Sequence, residues 1–76
     1  MNIIKATLAT SRLIEKTGLP ANDPSYGKDH LTEMCEKIIA GEITGEKANR
    51  WIGWVQCAIC IGGGATLADL KKINKV

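Results

Sequence analysis

The chain has 76 residues, enough for one domain whose single core supplies only roughly 3–5 kcal/mol unless a disulfide, a metal or self-association reinforces it. Hydrophobic residues make up 45% of it, yet the aromatic ones are limited to Tyr26, Trp51 and Trp54, so the core is aliphatic and suits helices packed on helices. Ten basic and eight acidic side chains leave a net charge of +2, which does not single out nucleic acid as a partner.

Helical periodicity runs through the sequence, and no strand pattern interrupts it. Ile3, Ile4, Ala6, Leu8, Ala9, Leu13 and Ile14 recur at three- and four-residue spacing, predicting an amphipathic helix over residues 2–17. Lys5 and polar neighbours break up the apolar residues of this segment, unlike the core of a signal peptide. Gly18 and Pro20 end the helix, and the turn formers that follow predict a loop over residues 18–28.

A second helix is expected over residues 29–40, with Asp29 capping its first turn and Gly41 just past its end. Leu31, Met34, Cys35, Ile38 and Ile39 form its apolar stripe. Thr44 is placed to cap a third helix over residues 45–61, with Glu46 favourable against the helix dipole. Gly62, Gly63 and Gly64 stop that helix. They read as a helix–turn–helix link, because the lysine and hydroxyl residue of a phosphate-binding loop are missing. Thr66 and Asp69 have the spacing of a capping box for a short fourth helix over residues 67–74. Leu67, Leu70 and Ile73 point inward from it, while Lys71, Lys72 and Lys75 form a solvated basic face. The expected fold is all-α: three longer helices and one short one.

The third helix is unusually apolar from Trp51 to Ile61, broken only by Gly53 and Gln56. Unrolled at the helical repeat, it gives two apolar stripes expected to face the core: Trp51, Trp54, Ala58 and Ile61, beside Ala48, Ile52, Val55 and Ile59. The remaining narrow stripe carries Glu46, Asn49, Arg50, Gly53, Gln56, Cys57 and Cys60. A glycine inside a helix costs about 1 kcal/mol relative to alanine, so Gly53 suggests close approach of a backbone or a ligand. Two uses follow. Gly53, Cys57 and Cys60 are expected to pack against a second copy of the helix, making a homo-oligomer. Asn49, Arg50 and Gln56, with a ring face of Trp51 or Trp54, are expected to contact a polar or anionic ligand, since guanidinium both pairs with anions and stacks on planar rings. The competing structural role for Arg50 is an ion pair with Glu46, four residues earlier.

The cysteines carry weaker signals. Cys57-Ala-Ile-Cys60 has the C-x-x-C spacing but lies at the apolar end of a helix with no strand before it, so redox chemistry is not expected. Cys57, Cys60, Cys35 and His30 have the chemistry of a zinc set, yet buried structural thiols are the simpler reading; no metal or cofactor is expected. An odd number of cysteines without a secretory signal points to a reduced, cytoplasmic protein, and no stretch approaches the ~18 apolar residues of a membrane span.

Glu33 and Glu36 lie one helical turn apart, and Glu46 with Asn49 forms a second pair on the next helix. This arrangement resembles the all-helical nucleotide pyrophosphohydrolases of the MazG type, whose E-x-x-E and E-x-x-D pairs hold Mg²⁺. The resemblance implies Glu33, Glu36 and Glu46 as catalytic carboxylates, although Asn49 replaces the aspartate and only a short link separates the pairs.

The segment from His30 to Asn74 carries a more distinctive pattern. It comprises His30-Leu-x-x-Met34, Gly41-Glu-Ile-Thr-Gly-Glu-Lys-Ala-x-Arg-Trp-Ile-Gly-Trp-Val-Gln56 and Ala65-Thr-Leu-x-Asp-Leu-x-x-Ile-Asn74. It resembles a module in small proteins of tailed bacteriophages and prophages. The Arg50-Trp51-Ile52 run is also similar to that of phage sponge proteins, short oligomeric helical proteins that sequester cyclic-nucleotide immune signals. These resemblances imply a non-catalytic, counter-defence binding protein whose partner is a host-derived small molecule or a host protein. The alternatives are the pyrophosphohydrolase and an adaptor for a larger phage or host protein.

Overall fold

The computed structural model describes residues 1–75, and these are all-helical. Helix α1 spans Ile3–Ser11, a 3₁₀ turn spans Ile14–Lys16, and α2, α3 and α4 span Lys28–Ile39, Gly45–Ile61 and Leu67–Asn74. α1 packs against all three other helices, and α2 packs against α3.

The first helix is shorter than the periodicity over residues 2–17 predicts. Thr7, Thr10 and Ser11 turn their hydroxyls back onto the carbonyls of Ile3, Ala6 and Leu8. Such bonds compete with the backbone ladder. Beyond Ser11 the chain tightens to three-residue bonds, from Leu13 N–H to Thr10 and from Lys16 N–H to Leu13. The tighter winding still buries Ile14.

Helix α2 also begins differently from the expectation. Asp29 does not cap it but lies in its first turn; the cap position is Gly27, which has no side chain to offer. The loop backbone does the capping instead. Lys28 N–H donates to the Pro20 carbonyl at 2.8 Å and Asp29 N–H to the Ala21 carbonyl at 3.1 Å. The first orphan donors of the helix are thus satisfied from eight residues back. Asp23 holds this loop in shape by accepting from the N–H groups of Ser25 and Tyr26.

Thr44 occupies the cap position of α3, although its side chain makes no capping bond. At α4 both capping-box bonds form: Asp69 N–H donates to Thr66 Oγ1, and Thr66 N–H donates to Asp69 Oδ2. The Gly62–Gly64 link is a packing device. A Cβ on Gly64 would come within 2.9 Å of the Leu13 carbonyl oxygen, so residues 13–17 lie directly against it.

Two core clusters meet on one side chain. Ile14, Leu31, Met34, Cys35, Val55, Ala58 and Ile59 form the first; Ala6, Ile38, Ala48 and Ile52 form the second. Half-buried Trp51 packs against both.

Hydrogen bonds from backbone N–H groups hold the Asp23 and Asp69 carboxyls below their ordinary value of 3.8. A depressed carboxyl contributes stability that is present above 3.8 and lost as pH falls through the lower folded value. We therefore expect the 20–27 loop and the first turn of α4 to persist at pH 3.8 and loosen only below it. Carboxyl and amide NMR titrations read this directly; midpoints at or above 3.8 would count against it.

Candidate functional site

The buried arc of α3 is rotated relative to the two expected stripes. Ala48, Ile52, Val55, Ala58 and Ile59 are buried as expected, but Gln56 joins them, while Trp54 is 49% and Ile61 80% exposed. Gln56 lies where α1 and α4 come together beside α3, within reach of Thr10 and Asn74. Gln56 therefore does not lie on an open polar stripe. Its amide Nε2 donates to Thr10 Oγ1 at 3.1 Å and to Asn74 Oδ1 at 2.8 Å, and its Oε1 accepts from Asn74 Nδ2 at 3.0 Å. One side chain ties α1, α3 and α4 together.

Arg50, Trp51 and Trp54 come together on the opposite edge of α3. With Pro24, Ser25, His30 and Met34 they line an open groove of about 310 Å³ between α3, the start of α2 and the loop. Trp54 is fixed there because its Nε1–H donates to the Ser25 carbonyl at 2.7 Å. An indole whose body is apolar and whose N–H needs an acceptor settles at such a boundary. Lys47 Nζ lies 5.4 Å from the Trp51 ring centre, so a cation already covers one face of that ring. Trp54 is the more open of the two indoles. Asn49 is exposed and lies outside the groove lining.

Arg50 does not pair with Glu46; among the described residues the ion pair present is Lys37–Glu33 at 3.2 Å. The guanidinium therefore sits at an indole-walled groove with no carboxylate partner among the described residues. His30, which sequence reasoning considered only as a zinc ligand, faces the same groove. Its position at the start of α2, three residues after the turn-rich loop, was the available signal.

The thiols separate. Cys35 is buried in the first core cluster, where loss of water and the neighbouring Glu36 push its thiol up to about 11. It stays a neutral thiol at ordinary pH. Cys57 and Cys60 are exposed on the outer face of α3, contrary to the expectation of buried structural thiols. Gly53 lies on the same face, and a Cβ built there would meet nothing within 4 Å among the described residues, so none of them approaches it.

Among the described residues, no three His, Cys, Asp or Glu side chains gather as a metal set. Glu33, Glu36 and Glu46 are thus not drawn into one site, nor are Cys35, Cys57, Cys60 and His30. No helix of the described residues is long and apolar enough to cross a membrane. No family model, no curated protein and no solved structure matches this chain.

Proposed function

We propose that this chain is a non-catalytic binding protein of the tailed-phage type, acting in the host cytoplasm to counter host defence. It sequesters a small planar anion of host origin, of the nucleotide class, in the groove of Arg50 and Trp54. It works as a homo-oligomer assembled through α3.

The observation that carries the ligand reading is an Arg50 guanidinium with no carboxylate partner among the described residues, beside the half-exposed ring of Trp54, in a groove large enough for a small molecule. Guanidinium offers paired N–H donors to a phosphate and stacks on a planar base; an indole offers the second stacking surface. His30 and Ser25, which also line the groove, supply further polar groups. The assembly reading is supported by exposed Trp54 and Ile61 on a helix whose other face is already buried.

The test is calorimetric titration of the protein with cyclic and linear nucleotides, comparing the native chain with Arg50→Ala. Arg50 is exposed and outside both core clusters, so the variant should melt as the parent does. Losing a charge-assisted contact to phosphate should weaken binding at least tenfold, from roughly 1.5–3 kcal/mol per such bond. Unchanged affinity for every nucleotide that binds would defeat the assignment. Pyrophosphate release, abolished by Glu36→Gln, would replace it with the catalytic alternative, and stable capture of a larger host or phage protein without any nucleotide would replace it with the adaptor.

A further inference from the structure

The outer face of α3 carries Cys57 and Cys60, both exposed and three positions apart, hence on one side of the helix. Both open onto a second groove, of about 360 Å³, bounded by Gly53 and Ile61 of α3 and by Leu67, Leu70 and Lys71 of α4. Ile61 and Leu67, both exposed, project beside it. From Gly53 to Ile61 this face bears no charged side chain. Projecting apolar side chains beside a mostly apolar groove are what one patch needs to pack on its own copy about a twofold axis. The uncharged α3 segment lets two identical helices meet without like-charge repulsion between them, with Lys71 of α4 left at the edge of the contact. Gly53, open within one chain, lets the two helix backbones approach.

We propose that two copies pair α3 on α3, and that Cys57 and Cys60 of one copy together with the same pair of the other form a four-thiolate zinc site. This rests on the assembly reading above and deepens it.

The ligand count argues for the second copy. Zinc takes four ligands in a structural site, and C-x-x-C supplies two. Within one chain no third ligand joins them among the described residues: Cys35 is in the core, and His30 faces the other groove. The spacing argues for a metal over a disulfide. Side chains three apart on a helix have Cβ atoms about 5–6 Å apart, whereas a disulfide requires about 3.5–4.5 Å. Tetrahedral zinc with ~2.3 Å bonds needs sulfurs only roughly 3.8 Å apart, within reach of rotamer choice on an undistorted helix. Four S–H bonds are replaced by four S–Zn bonds, the four protons pass to solvent, and no group changes oxidation state.

The experiment is native mass spectrometry with light scattering on chelator-stripped protein, kept reduced by a phosphine and titrated with zinc. The expected result is one zinc per two chains, with the dimer strengthened by the metal. Cys57→Ser and Cys60→Ser should each weaken zinc binding by at least tenfold. Gly53→Leu should abolish the zinc-bound pair while melting no lower than the parent, because leucine is the better helix former and finds open space there. A dimer indifferent to zinc and to both serine variants overturns the metal site and leaves assembly through α3 standing. A monomer with and without zinc overturns both, and one zinc per single chain overturns the shared site.

Discussion

Gly27→Ala should remove most of the chain's stability, as read by a large fall in the thermal transition in circular dichroism. A Cβ at this position would lie 2.5 Å from the Asp23 amide nitrogen, 2.6 Å from the Asp23 carbonyl oxygen and 2.9 Å from the Ala21 carbonyl oxygen. All three are backbone atoms, so no rotamer change relieves the clash. Moving them would also break the bonds that the loop makes to the first turn of α2, because Ala21 and Asp23 are themselves acceptors there. Inserting a methyl group into packed surroundings costs about 1–3 kcal/mol even where side chains can shift. Here the cost should reach the top of that range or pass it, against a total of roughly 3–5 kcal/mol for a domain this small. A variant that melts within a few degrees of the parent would show that the loop backbone yields easily.

Gln56→Leu should cost about 2 kcal/mol, measured by urea unfolding. The leucine fills a similar volume, but it leaves the Asn74 amide without its reciprocal partner and removes the donor to Thr10 Oγ1. A polar group left unpaired carries a desolvation penalty of about 1–3 kcal/mol when buried, and half-buried Asn74 falls in the lower part of that range. Thr10 keeps one bond, to the Ala6 carbonyl, so most of the loss should arise at Asn74. The double variant Gln56→Leu, Asn74→Leu tests this, since replacing both partners by apolar groups removes the orphan. It should recover most of the stability. A double variant as unstable as the sum of the singles would mean that Gln56 acts by shape and not by hydrogen bonding.

These residues also show which parts of the fold were legible in the sequence. The capping box of Thr66 and Asp69 is a bond pattern closed within four residues, so spacing alone carries it. Gly41 and Gly63, both with positive φ, mark the ends of α2 and α3 by chemistry equally local. The start of α2 was not legible, because its partners are loop carbonyls and not the Asp29 side chain. The early end of α1 depends on hydroxyls of Thr7, Thr10 and Ser11 choosing carbonyls of their own helix, and residue type permits that without requiring it.

The candidate site divides along the same line. Arg50, Trp51 and Trp54 are placed together by helix spacing, which the sequence contains. The burial of Gln56 rests on Thr10 and Asn74, 46 and 18 positions away, and the exposure of Trp54 on a Ser25 carbonyl 29 positions away. Hydrophobic periodicity ranks tryptophan as interior and glutamine as surface. Here their hydrogen-bonding needs reverse that order.

The bond from Trp54 to Ser25 has one more consequence. The indole that walls the groove also anchors the loop whose carbonyls begin α2. Occupancy of the groove and integrity of that loop are therefore two sides of one thermodynamic cycle. A ligand that settles best on the anchored indole must tighten the loop by the same factor by which an ordered loop tightens the ligand. Saturation of the groove should then be visible as slower amide exchange at Lys28 and Asp29, residues that line no wall of it.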